Sequence, residues 1–236
     1  MTKPNPDKPA AAGDEIAAQR QQGREWAREL QGEASAAGQP FGWFEALYSR
    51  AAGDAGFIPW EMAAPRFRLK AWLGENPGAG LRAIDIGCGL GDNAACLVGA
   101  GYDVTAFDIS ETAVGWARKR FPDAPARFHC ADLFAPPADW LGAFDLVHET
   151  YNLQAMPGER INEAMAAVAA LAKPGGTVLV MCRGRREDEE PVGPPWPLTR
   201  TQLEGFEQAG LSEVHFEEFW DQRDEPIRHF LLEFRR

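Results

Sequence analysis

Positive charge is scarce in this chain of 236 residues, with 24 Lys and Arg against 35 Asp and Glu and a formal net charge of −11. Broad grip on nucleic acid draws on Lys and Arg set against phosphate, so this balance argues against a nucleic-acid partner. Basic residues gather only in short clusters, among them "RGRR" at 183–186 and "FRR" at 234–236. Long apolar runs are missing as well. No segment reaches the roughly 18 apolar residues of a membrane span, and no membrane partner is expected. The N-terminal "MTKPNPDKPAAAGDE" lacks the apolar stretch of a secretory signal. Cysteine is sparse. Cys88, Cys96, Cys130 and Cys182 have neither CxxC spacing nor density, which excludes a disulfide framework and a structural zinc site. They read as reduced thiols in a cytoplasmic protein, and no metal is expected. Internal repeats are absent.

What is present suits one large domain with additions. A chain of this length buries a sizeable core, and its hydrophobic fraction of 45% is ordinary. Residues 1–13 carry no large apolar side chain and are expected to be disordered. From Asp14 to about Ala37 the composition favours a helix, with Ile16, Trp26 and Leu30 as a thin apolar side. Residues 40–73 hold Trp43, Phe44, Tyr48, Phe57, Trp60, Phe67 and Trp72 and fit two helices around a turn. Residues 14–79 are therefore read as an N-terminal helical cover, and 80–236 as the main domain.

An alternation of strands and helices begins after Gly80. Strands are expected at 81–86, 102–107, 126–131, 143–148 and 177–182, with helices at about 92–100, 110–121, 159–172 and 199–209. Continuous apolar strands, each followed by a helix, specify an α/β doubly wound sheet that is parallel and covered on both faces. The finish differs. "EVHFEEFWD" and "IRHFLLEFRR" with only "QRDEP" between them form a hairpin, so one strand runs antiparallel at the edge of the sheet.

The first strand leads into "IDIGCGLGD" at 84–92, where Gly87, Gly89 and Gly91 alternate. Glycine costs conformational entropy, so three of them imply a sharp turn and a close approach to a ligand. Ligands of doubly wound sheets sit at the C-terminal strand ends, against this turn. A dinucleotide site would place glycine at position 92, which is Asp92. The pattern here is D-x-G-x-G-x-G, opened by Asp85 and closed by Asp92, and carboxylates beside a pyrophosphate would repel it. A ligand with positive charge and no phosphate fits better, and S-adenosylmethionine is such a ligand. Asp108 closes the second strand where an acidic side chain accepts from both ribose hydroxyls. Asp132 in "CADLF" closes the third, where it can accept from an adenine amino group.

"IDIGCGLGD", "VTAFDIS", "CADLF", "FDLVHE" and "LAKPGGTVLV", in this order and spacing over roughly residues 81–236, resemble the motifs of the class I S-adenosylmethionine-dependent methyltransferases. The resemblance implies a Rossmann-like seven-stranded sheet, with the hairpin supplying that family's antiparallel seventh strand. It places Asp85, Gly87, Cys88, Gly89 and Gly91 around the methionine part of the cofactor. Asp108 and Ile109 go to the ribose, Asp132 and Leu133 to the adenine, and His148 or Glu149 to the region facing the methyl group. Cys88 reads as a small filler, and His129, His215 and His229 as packing or surface positions.

Methyl transfer from a sulfonium asks the protein to position, desolvate and, where needed, deprotonate the acceptor. His148, Glu149 and Tyr151 are the candidate catalytic groups, and Glu149 also counts toward cofactor binding. Trp43, Tyr48, Trp60, Tyr151, Asn152, Arg183 and Trp196 are the candidate walls for a small-molecule acceptor. At a finer level "IPW" before the first strand and "GPPWPLTRTQLEGF" after the fifth are similar to the thiopurine and thiol/halide methyltransferase group. "HETYNLQAMP" departs from that group's strand-four motif, so sulfur, halide, nitrogen and oxygen acceptors all stay open. The competing readings are a methyltransferase-like binding protein without turnover, an RNA methyltransferase and a NAD-dependent oxidoreductase. Oligomeric state is not legible.

Overall fold

The computed structural model describes residues 10–61, 66–191, 193–221 and 225–236. The expected disorder of residues 1–13 lies, up to residue 9, outside the described residues. From Ala10 onward the backbone is helical, so α1 (Ala10–Ala36) starts earlier than the expected Asp14. The chain divides into two compact units, residues 1–63 and 64–236.

In the first unit α1 is followed by α2 (Gly42–Ala51) and a 3-10 turn at Ala55–Phe57. Contact with that turn is made through Gly23, where an added Cβ would lie 2.0 Å from the Phe57 carbonyl oxygen. Trp26 stacks on Phe57 at 4.8 Å between ring centroids. The helix is thus packed by a missing side chain as much as by a present one.

The second unit holds a seven-stranded sheet, ordered β3-β2-β1-β4-β5-β7-β6. Its strands are β1 (Arg82–Ile86), β2 (Asp103–Asp108), β3 (Arg127–Cys130), β4 (Phe144–Thr150), β5 (Ala172–Arg183), β6 (Ser212–Trp220) and β7 (Arg228–Arg235). β1 to β5 pair in parallel, while β7 runs antiparallel to both β5 and β6. The expected hairpin is there, but its antiparallel strand is not at the edge. β7 carries "HFLL", buried throughout, and so lies inside the sheet; β6 alternates with exposed Glu and His and takes the edge.

The expected start of β5 also shifts. Pairing jumps from Phe144–Ala172 to Leu146–Thr177, so Pro174-Gly175-Gly176 bulges out of the ladder instead of preceding it. The C-terminus fills the gap, with Gly175 N–H donating to the Arg236 carbonyl at 2.7 Å.

Helices α3 (Phe67–Glu75), α4 (Asp92–Gly99), α5 (Glu111–Arg120) and α6 (Ile161–Leu171) cover the faces. Ser110 caps α5, its hydroxyl accepting from Ala113 N–H at 3.0 Å, and Arg118, Lys119 and Arg120 occupy the last turn. Both ends therefore match the helix dipole. The expected helix at 199–209 is two short pieces, α7 (Arg200–Leu203) and α8 (Gly205–Gln208), begun by a Thr199–Gln202 capping box.

α3 belongs to this sheet unit and not to the cover expected over residues 14–79. Leu69 and Leu73 join the core that contains Ala83, Leu97 and Val104, and Trp72 Nε1 donates to Glu233 of β7 at 2.9 Å. The other face of the sheet packs Ile84, Ile86, Phe107 and Val147 against α6 and α8.

Candidate active site

Parallel strands β1, β2 and β4 all end at one rim, and alternation along each strand decides which face its side chains join. β1 and β4 are in register, with Asp85 beside His148 and Ile86 beside Glu149. Asp85 and His148 therefore share one face and meet, Asp85 Oδ1 lying 2.6 Å from His148 Nδ1. The chain continues to Thr150, whose Oγ1 is 2.8 Å from His148 Nε2. Asp85 and His148 are both buried, and Asp85 Oδ2 has no hydrogen-bond partner in the protein.

Glu149 faces the opposite side and is fully buried. Its Oε1 accepts from the N–H groups of Asn152 and Leu153 at 2.6 and 3.2 Å, while Oε2 has no partner. Burial outweighs those two donors and pushes the carboxyl up to about 7. A buried polar atom without a partner costs free energy. Two such carboxylate oxygens beside one glycine turn are the chemical match for a ligand that carries ammonium and hydroxyl donors.

The turn is tied to β2. Cys88 N–H donates to the Phe107 carbonyl at 2.9 Å, and Gly89 N–H donates to Asp108 Oδ2 at 2.9 Å. Asp108 Oδ1 accepts from Ser110 N–H, so the carboxylate spans the turn and the start of α5. Burial, only partly offset by these donors, raises Asp108 to about 6. Cys88 is buried and its thiol is held well above the usual range by that burial and by Asp108 and Asp85, as a filler would be.

Gly87 and Gly91 have φ of +57° and +90°. A Cβ on Gly87 would fall 1.9 Å from Asn152 Oδ1, and one on Gly91 would press on Phe128 and Ala117 at 3.1–3.2 Å. Two of the glycines thus answer to protein neighbours as well. Asp92 at the start of α4 is paired in bidentate fashion with Arg120 at 2.8 and 3.1 Å. Its charge is compensated, so the case against a dinucleotide rests on the missing glycine at 92 and not on repulsion by that carboxylate.

Asp132 follows β3 and accepts from Phe134 N–H at 2.9 Å. Leu133 is buried in the core, so only its backbone is available to a ligand. Ile109, beside Asp108, is an exposed large apolar side chain at 38%. Arg160 lies over the Phe134 ring at 3.7 Å on this same side.

Tyr151 is the first residue beyond β4 and has φ +68°, a conformation that costs a non-glycine residue roughly 1–3 kcal/mol. Its N–H donates to Met181 O on β5, and Asn152 Nδ2 donates to Ile86 O at 2.8 Å, which together hold the bend. Gln154, absent from the sequence-derived set, ties the next element. Its Oε1 accepts from Arg183 N–H at 2.6 Å, and its carbonyl accepts from Trp196 N–H at 2.7 Å. Gln154, Arg183 and Trp196 are thereby brought together at the end of β5.

Trp43, Tyr48 and Trp60 lie in the first unit and pack on one another. Trp60 Nε1 donates to the Tyr48 hydroxyl at 3.0 Å and Trp43 meets the Trp60 ring edge-on at 5.8 Å. Trp43 and Tyr48 are buried and Trp60 half-buried. Among the described residues no three His, Cys, Asp or Glu side chains gather as a metal site, and no helix is long and apolar enough to cross a membrane.

A family model for a methyltransferase domain matches residues 83–176. The ubiquinone biosynthesis O-methyltransferase of Aromatoleum aromaticum is 36% identical over 110 residues, 45% of this chain and 46% of that protein. The probable thiol methyltransferase 2 of Arabidopsis thaliana is 28% identical over 167 residues, 67% of this chain and 73% of that one. The chain thus spans about half the length of the ubiquinone enzyme and about three quarters of the thiol enzyme. A solved structure reported under "Conversion of a Disulfide Bond into a Thioacetal Group during Echinomycin Biosynthesis" superimposes with a TM-score of 0.68 at 25% identity, covering 83% of this chain and 92% of that one. Strand order, glycine turn, the carboxylates at successive strand ends and these likenesses agree: residues 83–176 carry a methyltransferase domain, in a fold shared with S-adenosylmethionine-dependent methyltransferases, and S-adenosylmethionine is the cofactor.

Proposed function

We propose that this protein methylates the sulfur of a small thiol. The observation that carries the reading is the likeness to a thiol methyltransferase, which extends over 67% of the chain where the matching domain model covers only residues 83–176. The similarity of "GPPWPLT" to the thiol/halide group and the disulfide chemistry named for the superimposed structure point the same way. When bound, S-adenosylmethionine supplies an electrophilic methyl group together with its own leaving group.

The chain's residues divide the remaining work. Asp108 accepts from the ribose hydroxyls, beside the apolar wall of Ile109. Asp132 and the backbone of Leu133 take the adenine. Asp85, Gly87, Cys88, Gly89 and Gly91 line the methionine part, with the unpartnered oxygens of Asp85 and Glu149 as acceptors for its donors. Tyr151, Asn152, Arg183 and Trp196 form the acceptor side at the ends of β4 and β5. Arg183 supplies a cation suited to an anionic acceptor.

A second reading is a phenolic oxygen acceptor, favoured by the 36% identity to the ubiquinone O-methyltransferase. Incubation with S-adenosylmethionine and a panel of aliphatic thiols, aromatic thiols and catechols separates the two. Mass spectrometry of the products is expected to find S-methyl thioethers. Methylated catechol with untouched thiols would overturn the sulfur reading.

A further inference from the structure

We infer that Tyr151, His229 and Asp221 form a proton relay that ionises the acceptor thiol, with the Tyr151 hydroxyl as the group that takes its proton. The inference rests on the sulfur reading and assigns a part to His229, expected from the sequence to be a packing or surface position, and to Asp221.

The three side chains come from three strand ends at one rim of the sheet. Tyr151 follows β4, Asp221 follows β6, and His229 is the second residue of β7, paired with Arg183 on one side and Phe219 on the other. Only the tertiary arrangement, with antiparallel β7 between β5 and β6, joins them. The Tyr151 hydroxyl lies 3.1 Å from His229 Nδ1, and His229 Nε2 lies 3.4 Å from Asp221 Oδ2. Asp221 Oδ1 accepts from Ile227 N–H at 2.9 Å, which anchors the carboxylate. Phe219 stacks on the imidazole at 5.2 Å and 18°, fixing its plane. His229 is 4% exposed.

This order of hydroxyl, imidazole and carboxylate sets the tautomer. A proton on Nε2 donates to Asp221, and Nδ1 is left to accept from the phenol. It is the logic of an activated hydroxyl oriented through histidine by a third group, with tyrosine in the first place. Arg66 lies over the Tyr151 ring at 4.6 Å, a cation that favours negative charge on the phenol. The left-handed backbone at Tyr151, braced by Asn152 and Met181, holds the ring at the rim where the acceptor residues gather.

In the step, the acceptor S–H bond breaks and its electron pair stays on sulfur. The phenol oxygen gains that proton and passes its own to His229 Nδ1. The result is a thiolate and an imidazolium paired with Asp221, which later releases one proton to solvent. A thiolate that exists before it binds has no use for this relay, and that difference supplies the test.

Turnover is measured with an aliphatic thiol, mostly protonated at neutral pH, and with a nitro-substituted aromatic thiol, already ionised there. His229→Gln, Asp221→Asn and Tyr151→Phe are compared with the unaltered chain, each checked by thermal melting. General-base assistance is worth 100-fold or more, so His229→Gln and Tyr151→Phe are expected to shift the ratio of the two kcat values by about 100-fold against the aliphatic thiol. Asp221→Asn shifts it in the same direction. A fall in both rates together, with the ratio unchanged, means a packing role and overturns the relay, as does no fall at all. If the unaltered chain binds the cofactor but methylates neither thiol, the sulfur reading has failed and the relay falls with it.

Discussion

At the scale of single residues, buried carboxylates dominate the site, and each has a different environment. Asp108 is committed on both oxygens to N–H groups of the turn and of α5, yet burial keeps it near 6. Asp108→Ala is expected to weaken S-adenosylhomocysteine binding by roughly 1.5–3 kcal/mol, the scale of a hydrogen bond to a charged group. Isothermal titration of the folded variant checks this, and unchanged affinity would remove Asp108 from the ribose site. A pH dependence follows from the same environment. The protonated forms of Asp108 and Glu149 are favoured by folding, with values raised to about 6 and about 7. The folded state therefore holds more protons than the unfolded one above the ordinary carboxylate range. Their contribution to stability is present at low pH and lost as pH rises through about 7. Denaturant melts of the ligand-free protein between pH 4 and 8 (the range set by these values) are expected to show the loss, and Glu149→Gln to flatten its upper part. Ligand affinity should run the other way across about pH 6, because the ribose hydroxyls prefer the ionised Asp108.

At the scale of elements, the glycine turn is shaped by its neighbours as well as by its ligand. Gly87 sits at φ +57° under the Asn152 amide, whereas Gly99 closes α4 with nothing within 4 Å of an added Cβ. The same substitution should have opposite effects at the two positions. Gly99→Ala is expected to stabilise the protein by about 0.5–1 kcal/mol through helix propensity. Gly87→Ala must displace the side chain that joins the Tyr151 bend to β1 and should lower both Tm and cofactor affinity. Equal Tm shifts for the two variants would mean that the Asn152 contact carries no weight. The helical signals were legible because they are local. Ser110, Glu111 and the basic triplet at 118–120 announce both ends of α5, and Asp92 announces the first turn of α4. The bulge at 174–176 and the interior place of β7 were not legible, because each depends on a partner far away in sequence.

For the whole molecule, the test of the cofactor is thermodynamic. Ligand at one hundred times its Kd stabilises the native state by about 2.7 kcal/mol, which corresponds to a rise of about 5–11 °C in Tm for a chain of this size. S-adenosylhomocysteine is expected to give that rise and NADH none; a rise with NADH alone would contradict the family assignment. Net charge acts at this scale too. At −11 the protein repels polyanions as a whole, and the sequence's own case against a nucleic-acid acceptor is a statement about this field and not about any one residue.

By itself the sequence determined the alternation of apolar strands and helices, the glycine turn and the acidic residue ending each of the first three strands. These are short-range patterns, set by side-chain periodicity and backbone sterics, and they carry the methyltransferase-domain match. The tertiary structure alone decided what the patterns touch. It set Asp85 against His148 through the register of β1 and β4, compensated Asp92 with Arg120, assigned α3 to the sheet and turned Trp43 and Tyr48 inward. It also brought His229 and Asp221 to Tyr151. Those pairings join residues far apart in the chain, and no local propensity encodes which strand lies beside which; packing of the whole sheet does.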